Sequence, residues 1–447
     1  MTYSEATAYL ESLIDYEKTP AGSAAARLWN LDRMIHMLRE VGDPHLGLRV
    51  VHIAGTKGKG STSAMAASIL TAAGHRTGLY TSPHLVSFRE RVRVNGRCIA
   101  EADVVRLVEQ VRPIVESMRE REIGLPSFFD AYTLIALLHF AQQDVAVAVL
   151  ETGLGGRLDA TNVVHPIACG ITRIGIDHTM ELGDTLSQIA WEKAGIIKPG
   201  VAVVSAPQLP EVTAVLEEAC LERGAQLLMV GAHGPKVTNV RSEGTDRQLF
   251  TIEGMDGLYR GLACPLLGAY QAENAAVAIG LAEVSARQGI EVTEAAIRMG
   301  IESVRWPGRF QIVGRHPYVI LDGAHDELSA RALADTVRTL FSGRRVLLVL
   351  GVHRDKDAKA ISRELCPIAD RVIATTSSSP RALPADELQR VAFPRARHTS
   401  AFTPVSLAIR EALGAATPDD VILVTGSLYV VGEAMTALGV EPSDCEQ

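Results

Sequence analysis

Cysteine is scarce and unpaired in this chain. The six cysteines among 447 residues, at 98, 169, 220, 264, 366 and 445, show no paired spacing. That argues against both a zinc cluster and a disulfide framework, and fits reduced thiols. Long apolar runs are missing too: none approaches the roughly 20 residues of a membrane span. The opening Met1-Thr2-Tyr3-Ser4-Glu5-Ala6 has no basic n-region and no apolar h-region, so no signal peptide is expected. Basic residues are outnumbered, 44 Lys and Arg against 52 Asp and Glu, for a net charge of −8. This is the wrong balance for a nucleic-acid binder. There is no internal repeat and no low-complexity segment. What remains suits a soluble, cytoplasmic enzyme without nucleic-acid or membrane partners; a monomer is expected, although composition does not show the oligomeric state.

The chain is rich in core-forming residues, 47% hydrophobic against 21% charged, and long enough for two or three domains. Strands alternate with helices, which predicts an α/β fold with a mostly parallel sheet. Apolar strands are expected at 48–53, 76–80, 146–150, 167–174, 201–204 and 226–230, and helices at 63–70, 209–223 and 270–288. Residues 237–262 alternate loosely between polar and apolar with several glycines, which suggests a small antiparallel patch. After Trp306-Pro307-Gly308-Arg309 a second α/β series begins. Its strands are expected at 318–321, 345–351, 371–376 and 421–424, and its helices at 328–341, 358–369 and 405–413. The Pro-Gly pair reads as a hinge, dividing the chain into 1–303 and 304–447.

The strand 48–53 runs into Gly55-Thr56-Lys57-Gly58-Lys59-Gly60-Ser61-Thr62 and then a helix. Strand, glycine-rich turn, lysine and helix N-terminus together make a cradle for phosphate. The loop departs from the common kinase or GTPase pattern. Ala54 precedes it in place of a leading glycine, and after Lys59 comes Gly60, with Ser61 one step late. The bland alternative is a glycine-rich turn with a surface lysine.

Four other features fall at expected strand ends, where open α/β sheets place ligands. Ser82, in Thr81-Ser82-Pro83-His84-Leu85, offers a hard oxygen to magnesium, although a Ser-Pro turn is more often only a turn. Glu151 begins Glu151-Thr152-Gly153-Leu154-Gly155-Gly156-Arg157-Leu158-Asp159-Ala160-Thr161-Asn162. A carboxylate after a strand suits Mg2+ at phosphates, and the glycines beside Arg157 and Asp159 suggest close approach to a ligand. His178 is expected to end a strand, with Lys193 on the following helix. Taken alone, the two read as a structural histidine and a solvated lysine. Asp322-Gly323-Ala324-His325, with Arg309, could face a nucleotide from the second domain.

These strings together resemble one family, folylpolyglutamate synthase/dihydrofolate synthase of the Mur ligase superfamily. The resemblance covers nearly the whole chain. It rests on GTKGKGST at 55–62, TSPHL at 81–85, ERVRVNG at 90–96, ETGLGGRLDATN at 151–162 and DHTMELGDTLSQIAWEKAGIIKPG at 177–200. It continues through LGAYQAENA at 267–275, PGRF at 307–310, DGAH at 322–325, GVHRDKD at 351–357 and VTGSLYVVGE at 424–433. The resemblance implies an ATP-binding domain with a P-loop-type sheet, followed by a smaller Rossmann-like ligase domain. It implies ligation of L-glutamate to the carboxylate of dihydropteroate or a reduced folate through an acyl phosphate.

By the same resemblance, Lys59 and the loop amides hold the β/γ-phosphates, and Asn274, Arg309, Asp322 and His325 complete the ATP site. Ser82, Glu151 and His178 serve Mg2+, with a second divalent ion and a monovalent cation as further candidates. Lys193 matches a lysine that the family carbamylates. The pterin side falls to Phe128, Phe129, Asp130, Ala131, Arg157, Leu158, Asp159 and Ala160. Lys59, His178 and Lys193 are the expected catalytic residues.

The chain departs from the family pattern at Lys57 (commonly Asn), Asp130 (often Glu), Tyr270-Gln271 (commonly His-Gln) and Asp326-Glu327 (commonly Asn-Pro). A muramyl-peptide ligase of the same superfamily is the nearest rival. It would need a nucleotide-sugar domain ahead of the loop, where only 54 residues stand. A P-loop kinase or GTPase is disfavoured by the shifted loop and the second α/β domain. A non-catalytic nucleotide-binding module is disfavoured by Lys59, Ser82, Glu151, His178 and Lys193 occurring together.

Overall fold

The computed structural model describes residues 1–15, 30–120, 125–392, 398–440 and 445. Eight strands form the first sheet: β1 (Val50–Ala54), β2 (Thr77–Tyr80), β3 (Val92–Val94), β4 (Arg97–Cys98), β5 (Val147–Glu151), β6 (Ala168–Ile171), β7 (Val203–Ser205) and β8 (Leu227–Met229). Their order is β4-β3-β2-β5-β1-β6-β7-β8. The six strands from β2 to β8 run parallel, and β3 and β4 fold back antiparallel at one edge. β1 and β5 are buried along their whole length, as strands covered by helices on both faces must be, which is why they read as unbroken apolar runs. The loops leaving the carboxyl ends of β1, β2, β5 and β6 therefore meet along one rim of the sheet.

The expected antiparallel patch is a three-stranded sheet of β9 (Lys236–Glu243), β10 (Arg247–Glu253) and β11 (Leu258–Cys264), in the order β11-β10-β9. In β10 the buried residues Gln248, Phe250 and Ile252 alternate with more exposed ones, the period of a half-buried strand. The third sheet holds β12 (Gln311–Arg315), β13 (Tyr318–Leu321), β14 (Val346–Leu350), β15 (Arg371–Thr375), β16 (Thr399–Phe402) and β17 (Val421–Thr425). Its order is β12-β13-β17-β14-β15-β16, with β12 antiparallel at the edge. The first two sheets, which end by Cys264, make a first lobe, and the third sheet makes a second.

Two of the structure's features depart from the sequence reading. Cys98 on β4 and Cys445 form a disulfide, with Cα atoms 5.0 Å apart across 347 residues of sequence. Spacing along the chain could not show this, because tertiary folding brings the C-terminal segment to the sheet edge. Cys169, Cys220, Cys264 and Cys366 are free. The edge strands β12 and β16 also went unread: their sequences, Gln-Ile-Val-Gly-Arg and Thr-Ser-Ala-Phe, are only half-buried and lack an apolar run. Among the described residues, no helix is long and apolar enough to cross a membrane.

Candidate active site

The rim is built around the turn that follows β1. Gly55 and Gly58 take positive φ angles of +151° and +89°, and Gly58 is the N-cap of the helix Lys59–Ala72. The first-turn amides of Lys59, Gly60 and Ser61 have no intrahelical partners and, with the helix dipole, favour an anion. Thr56 and Lys57 behave differently from the expectation that they cradle phosphate. Both amides donate to Arg173 O at 3.0 Å, and Thr56 Oγ1 donates to Gly175 O at 3.1 Å, so these residues shape the loop. A Cβ on Gly58 would run into the Asn274 side-chain amide, itself fixed by its 2.9 Å bond to Gln271 Oε1. Gly58→Ala should therefore cost about 1–2 kcal/mol of stability through the left-handed backbone alone, and should weaken phosphate binding at this turn. Denaturant titration and calorimetry check this; wild-type values in both would contradict it.

Lys59 lies in this rim with no ion-pair partner among the described residues, and burial lowers its pKa. Glu151, the last residue of β5, is 4% exposed. Its carboxyl is pushed up to about 7 by burial, against the pull of Lys59 and Arg309, and it accepts a long 3.4 Å bond from Ser82 N. Lys193, on the helix Leu186–Ala194, is also 4% exposed, and its Nζ donates to Gly55 O at 2.9 Å. Burial and then the repulsion of Lys59 draw its amine down to about 7. His178 does not end a strand: β6 stops at Ile171, and His178 caps the one-turn helix Thr179–Leu182 with φ +52°. The cleft walls desolvate its ring and disfavour the protonated form despite Asp177.

A cleft of about 250 Å3 runs from this rim between the lobes. Ser82 and His178 line it. Phe129, Asp130, Leu158, Asp159 and Ala160 line one end, together with Arg33, whose Nε lies 3.6 Å from Asp130. Asp159 is held by Leu154 N at 2.9 Å and by the Thr161 hydroxyl at 2.5 Å.

Three residues expected at this end turn away. Phe128 and Ala131 are buried in the core, because neighbours on a helix point about 100° apart. Phe128 stacks on Tyr132 at 5.6 Å. Arg157 pairs with Glu192 at 2.8 Å and lies 4.5 Å over the Trp191 ring, so it pins the glycine-rich loop to the helix that carries Lys193.

The opposite end comes from the second lobe. His353, Lys356, Arg381, Ser427 and Tyr429 line it. His353 Nε2 sits 3.2 Å from Ser427 Oγ, and Arg381 pairs with Asp355 at 2.6 Å. The sequence reading quoted the strings at 351–357 and 424–433 without giving His353, Lys356, Ser427 or Tyr429 a role and left Arg381 out; the cations of 353–356 were the available signal. Asp322 is a clamp, accepting from Phe310 N and Ala324 N at 2.8 Å each. Burial raises its pKa against the pull of Arg309.

Lys57 joins the lobes. Its ammonium contacts Asp177 Oδ2 at 3.0 Å, His325 Nε2 at 3.0 Å and the Asp326 carboxylate.

A glycine-rich helix N-terminus suited to phosphate, with a second α/β lobe across a cleft, fits a nucleotide-dependent ligase, and the family models agree. The Mur ligase middle domain matches residues 53–282, and the Mur ligase glutamate ligase domain matches residues 308–428. The chain is a Mur-type ligase.

Its relatives are narrower in kind. It is 35% identical to dihydrofolate synthase/folylpolyglutamate synthase of Bacillus subtilis, over 90% of this chain and 93% of that protein. It is 39% identical to a probable bifunctional folylpolyglutamate synthase/dihydropteroate synthase of Halobacterium salinarum, over 98% of this chain but 52% of that longer protein. Among solved structures, Mycobacterium tuberculosis folylpolyglutamate synthase complexed with ADP superposes with a TM-score of 0.90 at 32% identity, covering 98% of this chain and 99% of that one. The chain belongs to the folylpolyglutamate synthase/dihydrofolate synthase family.

Proposed function

We propose that this chain uses ATP to join L-glutamate to the carboxylate of a pteroate or folate through an acyl phosphate. The observation that carries this reading is the cleft to which both lobes contribute. Phe129 with the carboxylates Asp130 and Asp159 lines it from the first lobe, and His353, Lys356 and Arg381 line it from the second; the phosphate loop adjoins it through Lys57, whose ammonium contacts the lining residue His325 at 3.0 Å. Phe129 offers a face for a planar ring, and Asp130 and Asp159 offer acceptors for the N–H edge of a pterin. Lys356 and Arg381 offer charge-assisted bonds to a dicarboxylic amino acid. We take 1–303 as the ATP-binding domain and 304–447 as the ligase domain, whose closure would keep water from the acyl phosphate.

In the first step a carboxylate oxygen of the pteroate or folate attacks the γ-phosphorus, and ADP leaves. In the second the neutral amine of glutamate attacks the acyl carbon, forming a tetrahedral centre from which phosphate departs as the amine proton is lost. Lys59 and the first-turn amides neutralise and orient the transferring phosphoryl group, which is the main demand of such a transfer. The hydroxyl, carboxylate and imidazole of Ser82, Glu151 and His178 fit Mg2+, and the raised pKa of buried Glu151 is the strain that a bound cation relieves. When bound, the ion supplies charge neutralisation at the phosphate oxygens. Lys193, with an amine near 7, can react with CO2, losing a proton to give a carbamate that joins this donor set.

The test is ADP release by the purified protein with ATP, L-glutamate and either dihydropteroate or tetrahydrofolate. Glutamate-dependent release with at least one of the two is expected. Release only with a muramyl-peptide acceptor would overturn the reading.

A further inference from the structure

Lys57 stands in the phosphate loop, yet its ammonium sits in a cluster drawn from both lobes. From the first lobe come Lys57 itself and Asp177; from the second come His325, Asp326 and Lys356. Lys57 Nζ donates to Asp177 Oδ2 and to His325 Nε2, each at 3.0 Å, and pairs with Asp326. His325 Nδ1 lies 2.8 Å from Gly323 O, so Nδ1 carries the ring proton and Nε2 accepts. The other oxygen of Asp177 accepts from Lys356 Nζ at 2.6 Å. Asp326 Oδ1 caps the helix Glu327–Leu340 through Ser329 N at 2.9 Å. Two ammoniums and two carboxylates thus balance around a neutral imidazole. Asp177, His325 and Asp326 each offer a ligand atom within 4.8 Å of the others, a spacing able to hold a metal ion, and the Lys57 ammonium contacts all three.

We propose that Lys57 is a positioning residue: its ammonium is a tethered cation, set where a metal could sit, that locks the phosphate loop to the second lobe. The loop is fixed at Lys57 from both sides, since its amide is held by Arg173 O and its side chain by Asp326. The amides of residues 58–61 follow directly, so the latch registers the transferring phosphoryl group against the cationic end of the cleft. Half-buried charges this well bonded leave a poorly compensated partner when one is removed. The latch acts on alignment of the lobes, so its loss falls on kcat more than on KM for ATP.

The experiment is a double-mutant cycle of Lys57→Met, Asp326→Asn and the pair. Met keeps the stem of Lys57, and Asn keeps the helix cap, so the folds are retained; melting temperatures verify this. Each single variant is expected to lower kcat by about 10-fold, with the double variant no slower than the worse single, the signature of a direct coupling. The latch is formed without nucleotide, so the wild type should be compact in small-angle scattering with or without ADP, and all three variants should show a larger radius of gyration. Effects that multiply in the double variant would overturn the proposal, as would a Lys57→Met variant that raises KM for ATP with kcat intact, or singles that match wild type. The kinetic arm rests on the ligase reading. If the wild type ligates neither acceptor, that reading fails by itself, and the scattering arm still decides the latch.

Discussion

Lys59→Ala lowers kcat/KM for ATP-dependent ligation by about 1,000-fold, the scale of losing a preorganised charge at the reacting group. The reason is its setting. Lys59 opens the helix Lys59–Ala72, beside unpartnered first-turn amides, and burial depresses its pKa because no ion pair among the described residues compensates its charge. The half-buried loop limits how far water screens it, so the ammonium acts strongly on phosphate oxygens. The same argument gives the stability result. A partly desolvated cation without an ion pair among the described residues weakens the fold, so the variant's melting temperature should not fall below that of wild type. Steady-state kinetics and thermal melts check both halves. Near-normal turnover, or loss of activity only through unfolding, would contradict the assignment.

Lys193→Ala should lower turnover by about 100-fold or more, and depletion of CO2 and bicarbonate should slow the wild type but not the variant. An ordinary lysine, with a pKa of about 10.4, is almost fully protonated at pH 7 and inert to CO2; Lys193, near 7, is about half neutral. Added acetate should restore part of the variant's rate by returning a carboxylate to the cavity. The sign of the stability effect follows from linkage. The folded-state pKa lies below the unfolded value, so the unfolded chain holds the proton more tightly. The resulting penalty is complete below pH 7 and fades as pH rises toward the ordinary lysine value. Lys193→Met should therefore melt higher than CO2-free wild type at pH 7, with a gain that shrinks by pH 10. Insensitivity to both the substitution and bicarbonate would remove the carbamate role.

The rim of the first sheet was legible because several local signals agreed there. A buried strand is a plain apolar run, and a glycine-rich turn before a helix is a local motif; β1, Gly58 and Lys59 follow from neighbours in sequence. What depended on side-chain direction was harder. Phe128 and Phe129 are equally aromatic, and only the helix phase sends one to the core and the other to the cleft. The apolar pattern runs on to Ile174 while β6 stops at Ile171, so the place of His178 beyond the strand was not readable. Contacts between distant segments were invisible: Cys98 with Cys445, Arg157 with Trp191, and the cations of 353–381 facing Phe129. Lys57 and Asp326 are the sharpest case. Each reads as an isolated departure from the family pattern, and the fold puts them in contact.

The central claim is that the γ-phosphate of ATP passes to the acceptor's carboxylate. It is tested by labelling both oxygens of that carboxylate with 18O and following the inorganic phosphate released during ligation with glutamate. Acyl-phosphate chemistry predicts that each phosphate formed carries one 18O, taken from the carboxylate when the tetrahedral centre collapses. Phosphate free of label, formed while glutamate is ligated, would contradict the account.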